Sequence, residues 1–174
     1  MTSGSVNRTH AAPILVLGLG NILLHDDGLG PSLLEQLAKK YRHVEGVVEF
    51  MDGGTQGLAL LGRITERQAL VILDAVATGH EPGDVCVLEG QDVLRFAVSR
   101  ATTAHEGNAG ELLATAAFLG ELPEKCFIVG VEPKVVDTGL GLSEDVHRSL
   151  KSALKKAQHI VDELLHEVGT PVGA

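Results

Sequence analysis

Two carboxylates and one imidazole stand out as side chains that could act together in catalysis or metal binding. Asp27 follows the apolar run Ile14–Leu19, and Asp74 ends a second run whose first five residues are all apolar. His105 lies in a long polar stretch between the fourth apolar run and the next helical pattern. Three such ligands with an open coordination position suit a divalent ion such as zinc, nickel or cobalt. The same trio could instead supply general acid–base groups without a metal.

Five short apolar runs predict the strands that would position these side chains. Three of the runs are continuous rather than alternating, as is typical of strands buried on both faces. Helical patterns fall between them: one after Pro31, a short one at 58–64, one at 112–119 and a long one that starts at Ser143. The predicted strands are Ile14–Leu19, Val47–Met51, Ala69–Asp74, Val85–Leu88 and Phe127–Val131.

This alternation predicts an α/β fold, a three-layer α/β/α sandwich around a mostly parallel sheet. Only residues 75–84 connect the third and fourth strands, and they carry turn signals without a helical pattern. A parallel crossover needs a dozen or more residues. We therefore expect a mixed five-stranded sheet in which the fourth strand is antiparallel.

The segments that follow the first three strands predict one site at one edge of the sheet, because ligands of open α/β sheets bind beyond the carboxyl ends of the strands. We expect Asp26 to cap the helix near Pro31. The loop after the second strand contains three glycines and is the candidate contact for an extended peptide, with a plain turn as the alternative. Its candidate substrate-binding residues are Asp52, Gly53, Gly54 and Thr55.

A dinucleotide site is not expected, although Gly18-Leu19-Gly20 begins like the GxGxxG fingerprint. The third glycine of that fingerprint would fall at position 23, which is Leu23. For Gly18, a structural role in close packing at the end of the strand is preferred to a role in cofactor binding.

Composition narrows the class of protein. The 174 residues contain 14 Lys and Arg against 23 Asp and Glu, a net charge of −9, so nucleic acid is not an expected partner. The start of the chain has no apolar core of a signal peptide, and Cys86 and Cys126 lie far apart in apolar runs. We expect a cytoplasmic monomer without a membrane segment. Residues 13–168 should form a single domain, flanked by a flexible N-terminal extension (1–12) and a flexible tail (169–174).

Several motifs, taken together, resemble the hydrogenase maturation endopeptidases over nearly the whole chain, from about Ile14 to His166. GNxLxxDDGxG combined with a downstream DGGTxG is more specific than either piece alone. The motifs, in order, are ILVLGLGNILLHDDGLG (14–30), MDGGTQG (51–57), ILDAV (72–76), PGDV (82–85), TTAHEG (102–107) and VGVEP (129–133).

The resemblance implies a function that composition does not show. Enzymes of this family remove a short C-terminal extension from the large-subunit precursor of nickel–iron hydrogenases, after nickel has been inserted. It also implies an α/β/α sandwich with a five-stranded mixed sheet. The family's metal-binding positions correspond to Asp27, Asp74 and His105, and the nickel would be carried by the precursor, with other divalent metals possible in the isolated protein.

Two residues depart from the family pattern. Many relatives have glutamate at the position of Asp27, and Glu106 stands where glutamine or asparagine often follows the histidine. Two other functions are considered: a nickel-sensing assembly factor that binds the same precursor without cutting it, and a small-molecule hydrolase or phosphorylase. The second is weakened by the absence of a basic cluster for phosphate.

Overall fold

A computed structural model describes residues 11–100 and 109–169. It contains five strands and five α-helices, with short 3₁₀ turns at 25–28, 42–44 and 57–60. The strands are β1 (Ile14–Leu19), β2 (Val48–Gly54), β3 (Ala69–Ala75), β4 (Val85–Glu89) and β5 (Lys125–Val131). The helices are α1 (Leu29–Lys40), α2 (Leu61–Ile64), α3 (Gln91–Arg100), α4 (Ala109–Phe118) and α5 (Glu144–Glu167).

The five strands form one mixed sheet in the order β2-β1-β3-β5-β4. β1, β2, β3 and β5 run parallel, whereas β4 pairs antiparallel with β5, from Val85 opposite Val131 to Glu89 opposite Phe127. The predicted antiparallel fourth strand is confirmed. The short connection of residues 75–84 accounts for it, since it is too short to return the chain to the other end of the sheet.

Helices cover both faces of the sheet, which confirms the three-layer sandwich. Along β1, Ile14 and Val16 pack against α1 and α5, whereas Leu15 and Leu17 pack against the opposite layer of α2, α3 and α4. Alternate residues of a strand point to opposite faces, so each buried strand feeds both cores. This explains why β1 and β3 are continuous apolar runs.

Helix α3 (Gln91–Arg100) was not predicted; the sequence pattern there indicates a long irregular connection. Val93 and Ala97, one helical turn apart, are buried against the sheet, but most of the remaining positions are exposed or half-buried. So sparse a stripe gives a weak periodic signal. Most of the extension and tail predicted at 1–12 and 169–174 lies outside the described residues, and no helix in the described part of the chain is long and apolar enough to cross a membrane.

The strand order places a topological switch point between β1 and β3. The chain leaves β1 through α1 to reach β2 on one side, and it leaves β3 for the β4–β5 side. In doubly wound sheets, the crevice at such a point is the usual ligand site. Asp27 follows β1 and Asp74 lies near the end of β3, so both residues stand at this crevice.

Helix α1 begins against the strand ends because Gly18 and Gly30 carry no side chain. A Cβ on Gly18 would lie 3.0 Å from the Gly30 carbonyl oxygen. A Cβ on Gly30 would lie 2.0 Å from the carbonyl oxygen of Leu19 and 2.4 Å from that of Leu73. The predicted packing role of Gly18 is thus confirmed, and Gly30 is the tighter of the two contacts.

Replacing Gly30 with alanine is expected to lower the free energy of unfolding by about 3 kcal/mol, because the atoms in the way are backbone and cannot rotate aside. Urea unfolding followed by circular dichroism measures the loss. Gly62→Ala in α2 is the matched control, since nothing lies within 4 Å of its added Cβ. That control should be neutral or slightly stabilising, and a Gly30 variant as stable as this control would contradict the packing argument.

Candidate active site

A cavity of about 490 Å³ opens at the switch point. Asp27 and Asp74 both line it. The remaining lining comes from the ends of β1, β2 and β3, from α3 and α4, and from the segment after β5, including Leu19, Gly54, Ala77, Phe96 and Pro133. The walls are therefore mostly apolar and carry three charged residues, Asp27, Asp74 and Arg100, as is typical of small binding sites.

Asp27 is held at the cavity by the turn that precedes helix α1. Its Oδ2 accepts a hydrogen bond of 2.8 Å from the backbone N–H of Asn21, and its own N–H donates to the carbonyl of Leu24 at 3.1 Å. Gly20 allows this turn to close, because its φ is +118° and a Cβ there would lie 1.9 Å from the Asp27 carbonyl oxygen. The backbone thus fixes the position of the carboxylate.

Asp74 is the buried member of the pair. Burial, together with the charge of nearby Asp27, raises the pKa of Asp74 from its ordinary value of 3.8 to about 7, although a hydrogen bond from the Ala75 N–H acts in the opposite direction. Two carboxylates that repel each other in a buried crevice bind a cation or share a proton. The pair can therefore act as hard oxygen ligands or as an acid–base couple.

Asp26, next to Asp27 in the chain, is fully buried and has a different role. Its carboxylate accepts hydrogen bonds from the backbone N–H groups of Lys134, Val135 and Ser143, and from the Ser143 hydroxyl, at 2.6–2.9 Å. Burial raises the pKa of Asp26, but these hydrogen bonds lower it by more than burial raises it. The pKa therefore lies below its ordinary value of 3.8. Asp26 ties the turn before α1 to the segment before α5.

The prediction that Asp26 caps the helix near Pro31 is therefore wrong. Helix α1 begins after Gly28 without a side-chain cap, two residues before Pro31. The partners of Asp26 lie 108 to 117 positions later in the chain. No local pattern around Asp26 could have indicated them.

The predicted substrate loop divides into two parts. Gly54 and Thr55 line the cavity. Asp52 is exposed and accepts a hydrogen bond of 2.9 Å from the N–H of Gly54, and Gly53 is buried, with a Cβ there falling 2.7–2.9 Å from leucine side chains. Gly54 and Thr55 therefore lie where a ligand in the cavity could contact them. Asp52 and Gly53 do not line the cavity.

His105, the third predicted ligand, lies outside the described residues. The two residues that flank its segment in the described chain, Arg100 and Ala109, both line the cavity that contains Asp27 and Asp74. The described residues alone contain no group of three or more His, Cys, Asp or Glu side chains arranged to hold a metal ion.

Glu132 holds another wall of the cavity. It is buried just after β5, and its Oε2 accepts hydrogen bonds from the Thr78 N–H at 2.7 Å, the Thr78 hydroxyl at 2.8 Å and the His80 N–H at 3.3 Å. Its chain neighbour Pro133 and the Thr78 neighbour Ala77 both line the cavity. Glu132 was not among the predicted site residues, although a glutamate directly after an apolar strand was a signal for it.

Glu132→Gln is expected to lower the free energy of unfolding at neutral pH by about 1–2 kcal/mol, because a carboxylate is replaced by a weaker acceptor. Burial raises the pKa of Glu132, but the hydrogen bonds from Thr78 and His80 lower it below its ordinary value of 4.5. A carboxyl group with a lowered pKa stabilises the fold at any pH above its ordinary pKa. That contribution is lost as the pH falls through the lowered pKa. The difference from wild type at neutral pH should therefore shrink when the pH falls below 4.5 and through the lowered pKa.

Urea unfolding at neutral and at acidic pH measures this difference. Glu45→Gln is the control, since Glu45 is exposed and its replacement should change stability by less than about 0.5 kcal/mol. A Glu132 variant whose deficit stays constant between the two pH values would show that the charge of Glu132 does not hold the loop.

An α/β/α domain with two carboxylates facing a cavity at the switch point of its sheet is a typical enzyme arrangement. Comparison with known proteins defines the class further. The family model described as hydrogenase maturation protease matches residues 31–160. The chain is 36% identical over 154 residues to the hydrogenase expression/formation protein HoxM of Azotobacter vinelandii, covering 88% of this chain and 74% of that protein.

Two comparisons with Escherichia coli proteins agree. The chain is 35% identical to the hydrogenase 2 maturation protease, covering 82% of this chain and 87% of that protein. The structure of the hydrogenase maturating endopeptidase HybD superimposes with a TM-score of 0.73 at 33% identity, over 90% of this chain and 93% of HybD. The chain belongs to the hydrogenase maturation protease family, which gives it an endopeptidase role in hydrogenase maturation.

Proposed function

We propose that this protein removes the C-terminal extension from the large-subunit precursor of a nickel–iron hydrogenase after nickel insertion. One observation carries the proposal: Asp27, from the turn before α1, and Asp74, near the end of β3, line the same cavity. Burial and the charge of Asp27 both raise the pKa of Asp74, which supports a role for the pair in binding a cation.

The proposed ligands for the precursor's nickel are Asp27, Asp74 and His105. A pair of neighbouring carboxylates in a low-dielectric site is costly until a cation offsets the repulsion. A precursor that carries nickel brings this cation, whereas a precursor without nickel does not. The difference in binding free energy between the two would let the enzyme act only on a metal-loaded substrate.

The proposed path of the substrate chain runs beside Gly54 and Thr55, at the end of β2. Gly54 has a φ of +49° and a half-buried position on the cavity wall, where an extended peptide can approach the backbone closely. The scissile bond would lie between this loop and the two carboxylates.

We also propose a cytoplasmic location and a monomeric state for the enzyme. Both cysteines are free thiols, Cys86 half-buried and Cys126 buried, as suits a reducing compartment. Sedimentation of the purified protein tests the monomeric state.

The test of the proposed function is incubation of the purified protein with its large-subunit precursor, with and without nickel, followed by intact mass measurement. The expected result is a mass loss equal to the C-terminal extension, and only in the nickel-loaded sample. Binding of the nickel-loaded precursor without any mass loss would instead show a non-cleaving assembly factor. Equal cleavage with and without nickel would contradict the metal-reading role.

A further inference from the structure

Four large aliphatic side chains next to the cavity are exposed to solvent. Ile22 and Leu23 precede α1, and Val136 and Leu140 follow β5; all four are between 55% and 75% exposed. We name these four residues the apolar rim. The two segments that carry them are neighbours, because Leu24 and Gly139 form a parallel β-bridge. Aliphatic groups clustered at the mouth of a cavity are unusual on a free surface and mark an interaction site.

The backbone beneath the apolar rim is held firmly. The N–H of His25 donates to the Gly139 carbonyl at 2.9 Å, and the N–H of Gly139 donates to the Leu23 carbonyl at 2.9 Å. Asp26 adds its buried hydrogen bonds between the same two segments. The side chains are thus displayed on a preorganised support, so little conformational entropy is lost when a partner covers them.

The apolar rim is continuous with the cavity. Val136 belongs to both, and Leu24, which directly follows Ile22 and Leu23, also lines the cavity. A molecule whose cleaved segment occupies the cavity would therefore place its adjoining surface on the rim. Since the family acts on a hydrogenase precursor, the cavity mouth is where that protein must approach.

Charge distinguishes the precursor from other occupants. The rim side chains are uncharged; nearby, Lys134 forms an ion pair with Asp145, and the exposed Asp137 lies 3.6 Å from the imidazole of His25. A second copy of this chain would bring a further net charge of −9 to the contact, and an anionic membrane would also be repelled. A neutral, apolar surface of another protein fits best.

We propose that the apolar rim binds an apolar surface of the hydrogenase large-subunit precursor next to the scissile bond, and so selects the folded precursor rather than its tail alone. This proposal rests on the proposed function. The rim supplies binding and no chemical group, so its loss should raise KM for the precursor while leaving kcat unchanged.

The test compares two double variants. Leu23→Asn with Leu140→Asn removes two rim side chains, and Val98→Asn with Phe118→Asn removes two still more exposed apolar side chains from α3 and α4. Val98 and Phe118 are 71% and 90% exposed and do not line the cavity. The probe is the nickel-loaded precursor purified from cells that lack this protease. Cleavage is followed by intact mass, binding by biolayer interferometry and folding by thermal unfolding.

The rim variant should show a KM, and a Kd for the precursor, about 10–100-fold above those of the wild type, at unchanged kcat and unfolding temperature. The control variant should match the wild type in all four. A rim variant with wild-type KM and Kd would overturn the binding role of the apolar rim and leave the proposed function intact. A wild-type protein that neither binds nor cuts the precursor would overturn both. A wild-type dimer that becomes monomeric in the rim variant would assign the rim to a second copy instead.

Discussion

Asp74→Asn is expected to slow removal of the precursor's C-terminal extension by roughly 10²–10⁴-fold. Asparagine has nearly the shape of aspartate, so the cavity keeps its form, but the side chain can neither bind a cation as a carboxylate nor accept a proton. The amount of nickel-loaded precursor that remains uncleaved after a timed incubation measures the loss of activity. Glu35→Gln, an exposed carboxylate on the outer side of α1, is the control and should cleave at the wild-type rate.

The same substitution should leave the protein at least as stable as the wild type. Asp74 is buried beside another carboxylate, so a neutral amide removes a repulsion from the folded state. Loss of activity without loss of stability separates a functional carboxylate from a structural one. Normal cleavage by the Asp74 variant, or a clear fall in its unfolding temperature, would contradict the assigned role.

Asp26→Ala is expected to have the largest effect on stability, a loss of about 3–5 kcal/mol. Three backbone N–H groups and one hydroxyl would lose their acceptor in a buried site. For a domain of this size, each kcal/mol lowers the unfolding temperature by about 2–4 °C, so a fall near 10 °C is expected. Asp26→Asn should be nearly as harmful, since its amide N–H₂ would face N–H donors.

The neighbouring Asp27→Asn is the matched comparison for Asp26. Among the described hydrogen bonds, the Asp27 carboxylate accepts a single one, from the Asn21 N–H, which an asparagine oxygen can also accept. We therefore expect little loss of stability but a large loss of cleavage at Asp27, and the reverse order of effects at Asp26. Thermal unfolding and cleavage measured on both variants test the contrast, and similar behaviour of the two would refute it.

The sheet was largely predictable from the sequence. The bounds of β1 were predicted residue for residue, because a strand buried on both faces is a continuous apolar run. The start of α5 at Ser143 was also predicted, since acidic residues in a first turn follow a local rule. Helix α3 was missed because its buried stripe is sparse. Local patterns thus identify elements whose burial is complete or whose first turn carries acidic residues.

The site was predictable only in outline. The rule that ligands bind beyond the strand ends brought Asp27 and Asp74 together, and both line the cavity. The rule does not tell which of two adjacent aspartates faces the cavity and which is buried behind it. Asp27 was preferred as the functional residue because it was considered as a partner of Asp74. The roles of Asp26 and Glu132 depend on partners that are distant in the chain, and sequence spacing carries no information about such contacts.

The contact between Asp26 and Ser143 has a consequence for the order of events during synthesis. The turn that presents Asp27 is completed by backbone groups that the ribosome adds more than 100 residues later. A nascent chain that still lacks the residues before α5 would have all of its sheet strands but not all of the donors that hold the Asp26 carboxylate. The turn before α1 and the segment before α5 can therefore lock together only after that segment has been synthesised.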